Sequence, residues 1–461
     1  MDYIGLLNDN TSKVLSHSQK IRDFLSDILD KDSFVETDVF MSGKSYLDGS
    51  DALGEGVITG YATLRDIPVC VVAQNAEVLG GSVNKAHANK ILKCIKKSMN
   101  AEMPLISIID SSGARLGEGV TVLEGYAEII AAAAEQKDYA PHIAILKGNA
   151  VGLMGMYAAL ADFVFMSDSS VLSAAPPLTL SENVSDTPQK FVGQQTYAQN
   201  SLISTIYFKA AAEIPEKIER ILGYMNQSIL NSGDDPNRTS DILNVQPNEQ
   251  NLLAALADAS SAIELFADYT KDIKTYFVTI NSIAAGLVIT NNQKFSTAAL
   301  EKTSAFIKML ERYDMPLVTL VDSEGISADL ESEQKGLVLC GAKLMRRIAL
   351  STMPKIAVVT GSAIGLSYVS LVSKSIGFDY SLAFANARIA PISSDAAASV
   401  IYSKELKGKG EPIELRKQLA EKYRTEEMNA FVSAKEGYID NIIEPALLRP
   451  YVASALSMLI Q

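Results

Sequence analysis

Histidine and cysteine are scarce in this 461-residue chain. The three histidines, His17, His87 and His142, fall in no H-E-x-x-H or comparable spacing. A histidine-built metal site is therefore not expected, and a Ser-His-Asp triad has few candidates. The three cysteines, Cys70, Cys94 and Cys340, form no C-x-x-C pair. That argues against a zinc ribbon or redox dithiol and fits a reducing cytoplasm, the expected location. Long apolar runs are missing too. The most apolar stretch, Val151 to Met166, is broken by Asp162 and is too short to span a bilayer. The opening "MDYIGLLNDNTSK" has no basic region followed by an apolar run, so no signal peptide is expected there. Positive charge is in deficit: 41 Lys and Arg against 54 Asp and Glu leave a net charge of −13. That sign repels phosphate backbones and argues against nucleic acid as a partner, while a local patch still leaves anionic cofactors open.

What is present is a repeat. "GNAVGL" at 148–153 returns as "GSAIGL" at 361–366, 213 positions later. "MPLISIIDSSG" (103–113) returns as "MPLVTLVDSEG" (315–325), 212 positions later. Each of the latter reads as a buried β-branched strand ending in Asp-Ser and a Gly turn. The preceding "KAHANKILKCIKKSMNAEMP" and "TAALEKTSAFIKMLERYDMP" both read as amphipathic helices that stop before Met-Pro. Strands precede these helices, and helix, strand and hexamer follow the Gly turns in both halves. The order of elements describes a duplicated domain with alternating strands and helices, an α/β architecture. "LNSGDDPNRTSDILNVQPNEQN" (230–251), rich in Asp, Asn, Pro and Ser, reads as a linker. The expected domains are 1–235 and 245–461.

In each half a strand, "IAIL" or "KIAVV", is expected to run into a Gly-rich turn and then a helix. Unpaired N–H groups at such a helix start can hold a developing oxyanion, and glycine lets a ligand approach the backbone. The pattern is neither G-x-G-x-x-G nor a P-loop, so those nucleotide sites are not indicated. Two such turns suit two carbonyl-type oxygens.

Beyond the repeat, the residues resemble a known family. "DSSGARLGEGV" (110–120) is similar to the D-S-G-G-A-R-x-x-E-G signature of the biotin-dependent acyl-CoA carboxyltransferases. "VLGGSVNKAHANKI" (78–91) resembles that family's G-G-S-x-x-x-x-H-x-x-K-I element. "LDKDSFVETDVF" (29–40), "GEGVITGYA" (54–62), "GLVLCGAKLMRRIALSTMPKIAVVTGSA" (336–363) and "EGYIDNIIEPALLRPYVASALSML" (436–459) extend the likeness over nearly the whole chain. The resemblance implies tandem crotonase-like (ClpP/crotonase) domains, usually in a homo-hexamer. Acyl-CoA would sit on the N-terminal half of one chain and biotin on the C-terminal half of another. No A-M-K-M biotin-attachment run and no ATP-grasp signature occurs. The resemblance therefore implies biotin on a separate carrier protein, with biotin carboxylase or decarboxylase subunits as further partners, and no metal. It also implies roles. N–H groups near Gly152 and Leu153 would hold the thioester oxygen. Those near Gly365, Leu366 and Ser367 would hold the ureido oxygen of biotin. Gly80, Gly81 and Ser82, with Ser112, Gly113, Ala114 and Arg115, would line the acyl-CoA side.

The departures from the family cluster around these positions. Both turns read Gly-Leu where the family has Gly-Gly, which places Leu153 and Leu366 where a ligand approaches. Val369 stands where an acidic residue often tunes acyl selectivity. "FVGQQTYAQ" and "PISSDAA" replace further family segments. One reading is a divergent enzyme; the alternative is a scaffold subunit that keeps the fold and has lost activity. A crotonase-type hydratase would need an acidic pair, and Glu118 is the tempting carboxylate. His87 and His142 read as structural or packing residues. The basic runs 90–97 and 404–410 read as solvated faces, the first with an option on CoA phosphates. Arg115 reads equally as a structural fork and as a functional one.

Overall fold

The computed structural model describes residues 2–43, 54–176, 179, 187–225, 233–290, 292–327, 329–408 and 413–460. The chain divides into two compact units, Met1–Leu222 and Gly223–Gln461.

The first unit carries β1 (Val35–Thr37), β2 (Val57–Leu64), β3 (Ile67–Gln74), β4 (Leu105–Ser111), β5 (His142–Val151), β6 (Phe163–Met166), β7 (Val171–Ser173) and β8 (Thr205–Tyr207). They form one sheet in the order β1-β2-β3-β4-β5-β6-β8, with β7 also on β5. The second unit carries β9 (Ile263–Leu265), β10 (Ile273–Ile280), β11 (Ile283–Thr290), β12 (Leu317–Ser323), β13 (Lys355–Ile364), β14 (Tyr380–Phe384), β15 (Arg388–Ala390) and β16 (Asn441–Ile443). Their order, β9-β10-β11-β12-β13-β14-β16 with β15 on β13, repeats the first strand for strand. Antiparallel hairpins open each sheet, and from β3 and β11 onward the pairing is parallel.

The repeat extends to irregularities. The β4–β5 register slips between Ile109 and Ser111, and the β12–β13 register slips between Val321 and Ser323. A bulge re-aims the strand that carries it. Here it lets one long strand change partners: Ile143–Leu146 pairs with β6, and Asn149–Val151 pairs with β7. β13 does the same with β14 and β15. The Gly-rich segment expected as a turn is therefore largely strand; the chain turns only at Gly152 and Gly365. The second strand partner, absent from any local pattern, is the reason.

The helix Lys85–Ala101 buries His87, Ala88, Lys90, Ile91, Cys94, Ile95 and Ser98, a stripe at three- and four-residue spacing. Asn84 caps it, its Oδ1 accepting the His87 N–H at 2.7 Å. The helix Thr297–Arg312 takes the matching place in the second unit, with Ser296 Oγ accepting the Ala299 N–H. The stretch 230–251 is not wholly linker. Asp241–Asn244 forms a helical turn, Asn248 caps the helix Glu249–Leu256, and Leu243, Leu252 and Leu256 enter the second core. Leu243 inside the stretch, and Leu252 and Leu256 just beyond it, anchor these elements despite the polar composition; residues 230–232 lie outside the described residues. No helix among the described residues is long and apolar enough to cross a membrane.

Candidate active site

The hexamers' two glycines answer to different constraints. A Cβ on Gly148 would lie 2.3 Å from Asp110 Oδ1, and one on Gly361 would lie 2.3 Å from Asp322 Cγ. The two aspartates take that room and grip the next N–H: Asp110 Oδ1 accepts from Asn149 at 3.2 Å, Asp322 Oδ1 from Ser362 at 2.7 Å. Gly152 (φ 63°, ψ −132°) and Gly365 (φ 55°, ψ −115°) adopt a backbone that an L side chain strains to reach. Each starts a short helix, Leu153–Ala159 or Leu366–Leu371.

The first turn's donors are narrower than the sequence suggests. The Gly152 N–H already donates to Ser173 O at 2.8 Å, and the Gly365 N–H to Ala390 O at 3.0 Å. The N–H groups of Leu153 and Leu366 follow, at helix starts where no preceding turn supplies an acceptor. Space beside Gly152 is open: a Cβ there would meet nothing within 4 Å. Both leucines are half-buried and make contacts of their own. Leu153 packs on the first core, and Leu366 Cδ2 comes within 3.4 Å of where a Gly341 Cβ would stand, against the helix Leu337–Leu350. Ser367 is fully buried; its Oγ accepts the Ile364 N–H at 2.8 Å and lies 3.2 Å from Ser323 O, so the hydroxyl latches the bulged strand. Val369 is 42% exposed, one turn beyond Gly365.

The expected acyl-CoA residues do come together. Ser112 N donates to Gly80 O, Val83 N to Gly113 O, and Arg115 N to Val83 O. A Cβ on Gly81 would lie 2.0 Å from Asp110 O, so the two loops touch backbone to backbone. A Gly113 Cβ would lie 3.6 Å from Val151 O, which brings the first hexamer to the same place. Gly80 and Ser112 are exposed, Ala114 is half-buried, and Gly81, Ser82 and Gly113 are buried.

Glu55, unremarked in the sequence, holds these loops. It is 1% exposed. Its carboxylate accepts Arg115 Nη1 at 2.8 Å, Asn84 Nδ2 at 2.9 Å and the Gly43 N–H. Arg115 continues through Nη2 to Ser82 O at 3.1 Å. Arg115 is thus a fork between two loops, its charge balanced by the buried Glu55 carboxylate. His87 Nδ1 donates to Glu55 O at 2.8 Å, and burial lowers the His87 pKa to about 3, so it is neutral and structural. His142 is buried, its Nε2 2.9 Å from Ser107 Oγ. Glu118 accepts the Lys85 N–H at 2.9 Å and caps a helix rather than forming an acidic pair.

The run 90–97 is not wholly a solvated face. Lys90 is fully buried, with Nζ on Gly54 O (3.1 Å) and Val57 O (2.6 Å). Lys302, 212 positions on, is equally buried with Nζ on Thr270 O at 3.0 Å. Burial lowers both pKa values to about 8. The shared offset is the signal that could have found this pair. In the run 404–410, residues 409 and 410 lie outside the described residues.

Comparison with known proteins agrees with this geometry. The carboxyl transferase domain family matches residues 18–461. The chain is 28% identical to the methylmalonyl-CoA carboxyltransferase 12S subunit of Propionibacterium freudenreichii subsp. shermanii, over 95% of this chain and 88% of that one. It is 30% identical to the methylmalonyl-CoA decarboxylase subunit alpha of Veillonella parvula, over 95% and 89%. A crystal structure of the transcarboxylase 12S hexamer with methylmalonyl-coenzyme A bound superposes with a TM-score of 0.90 at 25% identity, covering 98% of this chain and 94% of that one. The repeated sheets are the tandem crotonase-like architecture that the family resemblance implies. On the twofold glycine turn, the strand order and the match across its length, the chain belongs to the carboxyl transferase family.

Proposed function

We propose that this chain is the carboxyltransferase component of a biotin-dependent acyl-CoA enzyme. It moves a carboxyl group between carboxybiotin on a separate carrier protein and the α-carbon of a short acyl-CoA of the acetyl, propionyl or methylmalonyl type. The observation that carries the reading is the glycine turn present once per unit, each at the end of a bulged strand. In this reading the Leu153 N–H holds the thioester oxygen as negative charge develops on it. One donor so aimed is worth roughly 3–4 kcal/mol of barrier in a site that excludes water. Gly80 and Ser112 meet the acyl-CoA; Gly81, Ser82, Gly113, Ala114 and Arg115 shape the loops that present them.

The Leu366 N–H faces the biotin side. Its surroundings suit a neutral bicyclic urea: Val369 and Ile392 are exposed and apolar, and Pro391 O lies 3.1 Å from where a Gly365 Cβ would stand. Biotin, when bound, supplies the carboxyl group and a ureido nitrogen able to take the α-proton. The scaffold alternative rests on the clustering of substitutions around the site; the contacts that Leu153 and Leu366 make with the protein favour the active reading at those two positions.

A homo-hexamer, a biotin carboxyl carrier protein and a biotin carboxylase or decarboxylase subunit complete the proposal, in the cytoplasm. The test begins with calorimetric titration of acetyl-, propionyl- and butyryl-CoA. Carboxyl exchange with a biotinylated carrier then follows for the acyl-CoA that binds best. Exchange is expected; its absence with every acyl-CoA, from a folded oligomer, would overturn the proposal.

A further inference from the structure

The two halves differ at one partly buried charge. In the first unit Lys147 Nζ lies 3.8 Å from Asp110 Oδ2. Lys147 immediately precedes the first hexamer; Thr360 immediately precedes the second. The equivalent carboxylate, Asp322, therefore has no lysine at that place. Among the described residues Asp322 makes no ion pair, and Arg388 on β15 acts on it only as a more distant charge.

A cavity of about 460 Å³ is lined by Thr290, Asn292, Asp322 and Thr360 from the strand side and by Asn248 and Glu249 from the start of the helix Glu249–Leu256. It lies at the carboxyl ends of parallel strands, where ligands bind in open α/β sheets. Thr360 is 3% exposed, and its Oγ1 has no hydrogen-bond partner among the described residues. A buried hydroxyl left so costs free energy, which a ligand can recover. The Asp322 carboxylate bonds the Ser362 N–H through Oδ1. The second oxygen, the orphan hydroxyl and the Asn292 amide carbonyl make an acceptor-rich set, and an ammonium brings three donors and no acceptor.

We propose that this cavity binds the head of a small primary alkylammonium ion, which takes the place that Lys147 occupies beside Asp110. The first repeat serves as the template: one carries its cation covalently, the other receives it from solution. The proposal stands apart from the carboxyl-transfer reading, since it involves neither glycine turn.

The test is thermal unfolding of the full chain at fixed protein concentration and ionic strength, with n-butylammonium chloride as probe. Tetramethylammonium, which has the charge and no N–H, is the control. At about five times its dissociation constant n-butylammonium is expected to raise the melting temperature by about 1–2 °C, and tetramethylammonium to leave it unchanged. Asp322→Asn keeps the acceptor for Ser362 and is expected to abolish the response. Thr360→Lys supplies the cation from the chain and is expected to melt higher and to ignore the probe. Equal shifts from both cations, or a response that survives in both variants, would overturn the proposal.

Discussion

Acid should weaken the first unit through one residue, His87. Its ring is fully buried, with Nδ1 on Glu55 O and Nε2 beside Gln74, and burial lowers its pKa from 6.5 to about 3. Arg115 and Lys90 add to that depression as neighbouring positive charges. The folded state therefore resists a proton that the unfolded chain accepts below pH 6.5. Stability is full above that pH and is lost as pH falls toward 3. At pH 5 the unfolded chain is 1.5 units below its histidine pKa, and the loss is about 2 kcal/mol. Urea unfolding at pH 7.5 and pH 5.0, at one protein concentration, measures it in the native chain and in His87→Gln. Other acid-sensitive groups act in both proteins and cancel in the difference. The native chain should lose about 2 kcal/mol more than the variant. Equal losses would refute the claim that a neutral, buried His87 secures the Glu55 backbone.

Three further outcomes follow from the site. Leu153→Gly and Leu366→Gly each remove half-buried packing and weaken a helix start; each should lower stability by about 1–3 kcal/mol, with no gain in carboxyl exchange. A gain in exchange would show instead that these side chains obstruct the ligand. Gly361→Ala places a Cβ against the Asp322 carboxyl and should cost about 1–3 kcal/mol by chemical denaturation, relieved when Asp322→Gly is added. Glu55→Ala leaves Arg115 without its carboxylate and should cost about 3–5 kcal/mol; a cost below about 1 kcal/mol in urea unfolding would show the pair to be peripheral.

Much of this protein was legible because the gene product says it twice. The alternation of β-branched strands with amphipathic helices, at offsets of 212 and 213, specified the element order in both units. The loop residues Gly80–Ser82 and Ser112–Arg115 could be grouped from the family likeness before any contact was seen. The hexamers were harder. Their glycines look alike in sequence, yet one yields room to an aspartate 38 or 39 residues away and the other turns the chain.

What the sequence by itself determined is the local periodicity, the duplication and the family. The first two follow from short-range pattern, which face of a strand or helix is apolar and where glycine or proline interrupts it, and the family from the resemblance of its motifs. What only the tertiary structure decided is the direction in which side chains spend their bonds. Leu153 packs against the first core, and Leu366 reaches toward the helix that carries Gly341. Lys90 and Lys302 lie inside because carbonyls from another strand's approach wait for them. Arg115 reaches Glu55 across 60 residues. Each depends on a partner distant in the chain, and no pattern within a single segment encodes where that partner will stand.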